Sequence, residues 1–142
     1  MYRLLYFFAR IYWFVFRPKT YGVKCIIENN GEVLLIKNSY GRGLWTFPGG
    51  GIKSGETAEG AAKREVREEV GIEVENVKWL GKFTSNSEYK KDNVDVFYSY
   101  SENMDFKIDK FEISEAGWFD PDNLPEVSEY TKVCLNLWKE KN

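Results

Sequence analysis

The chain has 142 residues, 43% of them hydrophobic and 30% charged, a composition that suits one compact globular domain. Its 20 basic and 22 acidic residues leave a net charge of −2, which is not the electrostatic footprint of a protein that binds duplex nucleic acid or RNA. Histidine is absent, so Ser–His and Cys–His nucleophile pairs are excluded, and proton transfer falls to carboxylates, lysine, tyrosine, cysteine or metal-bound water. Residues 1–17 are expected to form a separate amphipathic helix rich in aromatic rings (Tyr2, Tyr6, Phe7, Phe8, Tyr12, Trp13, Phe14 and Phe16). Arg3, Arg10 and Arg17 would make one narrow charged stripe along it. The segment is shorter than the roughly 20 apolar residues of a membrane span, and Arg10 interrupts any secretory core. Its apolar surface calls for a cover: the domain itself, a second copy of the chain, or a membrane surface. Pro18 stops the helix, and residues 18–142 are read as the main domain.

Two β-rich runs, Gly22 to Glu28 and Glu32 to Lys37, flank Asn29-Asn30-Gly31, a hairpin signal because Asn and Gly tolerate positive φ. Leu44 to Phe47 reads as a short strand stopped by Pro48 and three glycines. Thr57 is placed to cap a helix running to about Val70, with Gly71 as its C-terminal stop. Strands follow near Val77 to Thr84, Val94 to Ser101 and Glu115 to Phe119, with Ser85 to Asn93 as a polar loop. A final helix spans Ser128 to Lys139, with Val133, Leu137 and Trp138 assigned to its apolar side. Strands interleaved with helices predict a mixed α/β layer fold. Cys25 and Cys134 match no zinc spacing and read as reduced thiols of a cytoplasmic protein, with a single disulfide as the alternative and peripheral membrane contact through residues 1–17 as a variant of location.

The chemistry concentrates in the predicted helix after Thr57. Glu65, Glu68 and Glu69 stand at i, i+3 and i+4, so one helix face carries three carboxylates. Such a face repels itself unless something positive sits among the oxygens, and a hard cation such as Mg²⁺ suits oxygen ligands of this kind. Taken alone, Glu-x-x-Glu-Glu is more often a solvated helix face.

The wider spacing changes that judgement. Gly50, Glu56, Arg64-Glu65, Val66, Glu68-Glu69, Gly71 and Ile72 reproduce the Nudix box in full, a chance match on the order of 10⁻⁸ per window. The entry Trp45-Thr46-Phe47-Pro48-Gly49-Gly50 and the later run Glu112 to Phe119 are also typical, so the chain from Gly22 to about Pro125 resembles the Nudix hydrolase family. The resemblance implies a mixed β-sheet sandwiched between α-helices, to which the aromatic N-terminal helix is an addition. It implies a pyrophosphohydrolase that cleaves a nucleoside diphosphate linked to another moiety, with Mg²⁺ as cofactor and Mn²⁺ as a substitute. Glu65, Glu68 and Glu69 would be the catalytic, metal-binding carboxylates, joined by the Gly49 carbonyl and by Glu112, for which Glu115 competes. Either Glu65 or Glu112 would serve as base. Glu56 and Arg64 would be the structural pair that braces the box.

The substrate is expected to be a small nucleotide, a nucleoside triphosphate or a nucleotide sugar, in preference to capped or triphosphorylated RNA, because the chain has no excess positive charge. Tyr40, Trp45, Phe47, Tyr89 and Tyr98 are the rings able to stack a base, although Trp45, Phe47 and Tyr98 read first as core or sheet residues. Arg42, Lys90 and Lys91 are the cations able to meet phosphates. Two other functions compete: a catalytically silent nucleotide-binding module, and a partner-binding or membrane-associated protein acting through residues 1–17.

Overall fold

A computed structural model describes residues 2–16, 19–40, 43–86 and 91–141, without the side chains of residues 10–16. The expected stop at Pro18, the arginine stripe beyond Arg3, and the candidate residues Arg42, Tyr89 and Lys90 lie outside the described residues.

The hairpin signal is met by β1 (Lys19–Asn29) and β2 (Glu32–Asn38), which pair antiparallel in the register Glu28 to Val33. Asn30 and Gly31 turn between them with φ of 47° and 86°. β3 (Trp45–Thr46) continues on the far side of β2. β5 (Lys78–Ser85) and β6 (Lys91–Tyr100) form the other half of the sheet, and β6 runs parallel to β1 along its length. The order is β3-β2-β1-β6-β5, with β7 (Ile113–Phe119) also pairing to β2. Both strands extend into the stretch expected to be the Ser85–Asn93 loop.

The glycine run is a correction to the sequence reading. Gly49–Gly51 do not merely stop a strand; they form β4, which pairs with Gly22 to Lys24 of β1. A Cβ on Gly49 would overlap the Val23 carbonyl, so the close backbone approach depends on the missing side chain.

Helices cover both sheet faces. α2 (Ala58–Val70) packs Ala61, Ala62, Val66 and Val70 against Val23, Cys25, Ile27, Leu34 and Ile36. α3 (Glu129–Lys141) packs Cys134 and Leu135 against Ile26, Val33, Leu35, Phe47 and Val96. β1 therefore sends alternate residues into two cores, which explains its nearly continuous buried run. Val133 is 36% exposed and does not belong to the inner face of α3. Thr131, Cys134 and Leu135 recur at i, i+3 and i+4 and set that face instead. Both cysteines are free and buried.

α1 (Tyr2–Phe16) is the expected N-terminal helix. Tyr2 and Tyr6 turn toward the domain, whereas Leu4, Leu5, Phe7 and Phe8 are each more than half exposed. No helix among the described residues is long and apolar enough to cross a membrane.

Candidate active site

The carboxylate face depends on how α2 starts and stops. The Thr57 side chain accepts a 3.0 Å hydrogen bond from the Gly60 N–H, and Gly71 closes the helix in the left-handed region at φ 68°, its N–H donating to the Arg67 carbonyl. With Val66 and Val70 buried, the helix rotation is fixed, and Glu65 and Glu69 are carried to the edge beside β4.

Glu69 is 5% exposed, and its Oε1 accepts a 2.7 Å hydrogen bond from the Gly49 N–H. Glu65 lies over the next residue, so that a Cβ on Gly50 would sit 2.5 Å from its Oε1. The glycine run thus serves two partners, the β1 backbone below it and the α2 carboxylates beside it. Glu68 remains about half exposed.

Arg64 organises the solvent side of this face. Its Nε and Nη2 grip the Glu56 carboxylate at 2.7 and 3.0 Å, and Nη2 also donates to the Gly51 carbonyl at 2.9 Å. Nη1 donates to Glu65 at 2.9 Å and to Glu68 at 3.1 Å. Glu56 further accepts from the Lys53 N–H, and the Arg64 hydrogen bond with this backbone contact holds its carboxyl down at about 2. The side chains of Arg64 and Glu56 are 12% and 19% exposed, so the fork is largely shielded from solvent.

A connection after β6 brings in Glu112. The Lys107 and Asp109 N–H groups donate to the Val70 and Glu69 carbonyls, docking this connection on the C-terminal end of α2. Ser39 then fastens its far end, donating from N–H to the Glu112 carbonyl at 2.8 Å. Glu112 is close enough to Glu65 and Glu69 for its charge to raise the proton affinity of both. Glu115 instead pairs with Lys37 at 3.3 Å.

Burial pushes the Glu69 carboxyl up to about 8, with Glu65 and Glu112 adding to the rise against the pull of Lys24 and the Gly49 N–H. Glu65 is raised as well, chiefly by burial, against the pull of Arg64. Two partly buried carboxylates with a third beside them are short of positive charge, and oxygen-only donors suit a hard divalent cation. Among the described residues no three carboxylates converge on one point, and Arg64 occupies one oxygen of Glu65 and one of Glu68.

Lys24 was not singled out by sequence reasoning. Its Nζ donates to the Phe47 carbonyl at 3.1 Å, and its charge favours ionised Glu69. The available signal was a charged residue inside the apolar run Val23–Ile27 of a central strand. Of the rings proposed to stack a base, Phe47 is sealed in the core, Trp45 packs edge-on against Phe119, and Tyr98 stacks on Trp138. Tyr40 is different: burial, then the charges of Glu69, Glu112 and Glu65, raise its phenol, so it borders the carboxylates. Lys91 is exposed at the start of β6.

Known proteins resemble the chain in sequence and in fold. The chain is 32% identical over 117 residues to an NAD-capped RNA hydrolase NudC of Vibrio atlanticus, covering 80% of this chain and 43% of that protein. It is 32% identical over 126 residues to an ADP-ribose pyrophosphatase of Methanocaldococcus jannaschii, covering 85% of this chain and 74% of that protein. The chain spans less than half the length of the first curated relatives it matches. Among solved structures, a MutT NUDIX hydrolase from Burkholderia pseudomallei superposes with a TM-score of 0.78 at 26% identity, over 84% of this chain and 97% of that one. The family model described as the NUDIX domain matches residues 18–136, and the chain belongs to that family.

Proposed function

We propose that this domain hydrolyses a pyrophosphate bond in a nucleoside diphosphate joined to a further group, using Mg²⁺ with Mn²⁺ as a substitute. The observation that carries this reading is Glu69, a carboxylate 5% exposed and fixed by the Gly49 N–H, with Glu65 and Glu112 in electrostatic reach. Glu65, Glu68, Glu69, Glu112 and the Gly49 carbonyl would hold the cation. When bound, the cation neutralises phosphate charge, aligns the pyrophosphate and acidifies the attacking water.

The chain's own residues divide the remaining work. Glu65, with its proton affinity raised by burial, is suited to take the proton of the attacking water as general base. Arg64 competes with the cation for Glu65 and Glu68, so its second grip on Glu56 and Gly51 keeps it in place when those carboxylates turn away. Lys24 favours the ionised form of Glu69 that a cation requires.

A nucleotide sugar or a nucleoside triphosphate is the favoured substrate class. The name of the ADP-ribose pyrophosphatase supports the first, since ADP-ribose is ADP joined to a second ribose, whereas the NAD-capped RNA hydrolase is named for an RNA substrate. Phosphate release over a panel of nucleotides, with a coupled phosphatase, tests the reading. Release that depends on the cation supports it, and silence across the panel favours the nucleotide-binding module.

A second reading rests on the outward face of α1, where Leu4, Leu5, Phe7 and Phe8 are exposed. In it, residues 1–17 meet a membrane surface or a second copy. Liposome co-sedimentation and light scattering of the full chain, with and without Leu5→Glu and Phe8→Glu, separate these outcomes from a free monomer.

A further inference from the structure

Tyr40 does not border the carboxylates alone. It follows β2, and its ring stacks on Tyr2 of α1 with centroids 5.8 Å apart and planes at 27°. Tyr6, one helical turn on, packs on Tyr40 at 6.3 Å. Tyr2 also packs on Phe111, the residue before Glu112, at 4.8 Å.

Ser39 binds the two domain segments together, its N–H on the Glu112 carbonyl and its Oγ donating to the Phe111 carbonyl at 3.0 Å. The rings therefore gather around the segment that carries Glu112, to which Phe111 belongs. Through its contact with Phe111, Tyr2 brings α1 to the segment that carries Glu112. Tyr40 and Phe111 keep 38% and 62% of their surfaces exposed, leaving ring surface accessible beside the site.

A nucleotide has two unlike ends: phosphates that need cations, and a flat base that stacks on aromatic faces whatever its identity. The carboxylates serve the first end through a cation, and the adjoining rings suit the second. We propose that Tyr2, Tyr40 and Phe111 form a stacking platform for the substrate's base, so that α1 strengthens the binding of ligands that carry one. This extends the hydrolase reading and rests on it for the identity of the ligand. It also gives a role to a helix that precedes the family-matched residues 18–136.

The alternative is that the rings only seat α1 on the domain, and leucine substitutions separate the two because leucine keeps apolar packing and removes the stacking face. The probe is the fluorescent methylene-bridged analogue of etheno-ADP, followed by anisotropy with Mg²⁺, with base-free ribose methylenediphosphate as competitor. Tyr2→Leu and Tyr40→Leu are expected to weaken the analogue by about tenfold, with Tyr2→Phe within about twofold of the unaltered chain. The affinity of the base-free competitor should stay unchanged in all three. Equal losses for both ligands, or analogue binding within about twofold in both leucine variants, would overturn the platform. So would an unaltered chain that does not bind the analogue. Binding without phosphate release in the parallel hydrolysis assay would instead sink the hydrolase reading and leave the platform standing.

Discussion

The Glu69 carboxylate and the Gly49 N–H meet at 2.7 Å, joining the last turn of α2 to a strand made only of glycines. This contact ties the electrostatics of the helix to the shape of the glycine run, because the carboxylate that would hold a cation is also a structural acceptor. Glutamine at this position keeps the acceptor and removes the charge, which separates the two roles.

Glu69 accordingly links stability to pH. Its folded carboxyl sits at about 8 against an ordinary 4.5, so the stability associated with its protonated form is fully present below about 4.5 and is lost as pH rises through about 8. In EDTA, Glu69→Gln should melt a few degrees above the unaltered chain near pH 8.5, roughly, with the gap closing toward about pH 5. Adding Mg²⁺ should reverse the order at the higher pH, since the cation replaces the proton only where the carboxylate remains. Melting curves at the two pH values check this. A gap independent of pH would place the cause elsewhere.

Arg64→Ala should destabilise the protein as well as slow it. The substitution unpairs Glu56 and removes the donor to the Gly51 carbonyl, and a fall in Tm of roughly 5 °C or more is expected. Glu56, held at about 2, contributes stability that is present above about 4.5 and lost as pH falls through about 2. Arg64→Ala should flatten that acid limb. Glu65→Gln, which still accepts from Arg64, should slow turnover with little change in Tm. The opposite pattern would exchange the roles of the two residues.

Glu112 and Glu115 are neighbours in sequence with different surroundings. Glu112→Gln should lower kcat by roughly tenfold or more, whereas Glu115→Gln, which breaks an exposed pair with Lys37, should change it by less than about twofold. Equal small effects would mean that the helix carboxylates work without Glu112.

Lys24 acts through Glu69. Lys24→Met keeps the stem beneath Gly49 and removes the charge, so Glu69 should hold its proton to higher pH. The acidic limb of the kcat/KM profile should move upward, and Lys24→Arg should restore it. A profile that falls in height without moving would assign Lys24 to packing alone.

Much of this arrangement is written locally. Thr57, Gly71 and the valines between them specify where α2 starts, stops and faces, and so the position of three carboxylates, because capping and helical period act over a few residues. What escaped sequence reading is non-local. Lys24 lies far from the box and reaches Glu69 only because β1 passes under the glycine run. β4 has no side chains to pattern, so periodicity gave no sign of it. Val133 looked inward because it is apolar, but Thr131 and Cys134 set the helix face. The seat of Tyr2 against Tyr40 and Phe111 joins three segments, and nothing in their spacing announces it.

The central claim is a cation-dependent hydrolysis that uses the α2 carboxylates. It is tested most directly by phosphate release from ADP-ribose and nucleoside triphosphates with Mg²⁺ and with excess EDTA, in the unaltered chain, Glu68→Gln and Glu69→Gln. The account predicts release with Mg²⁺, none in EDTA, and turnover lowered by at least about 100-fold in both variants, which should remain folded. Full turnover in EDTA, or in both variants with Mg²⁺ present, would contradict it.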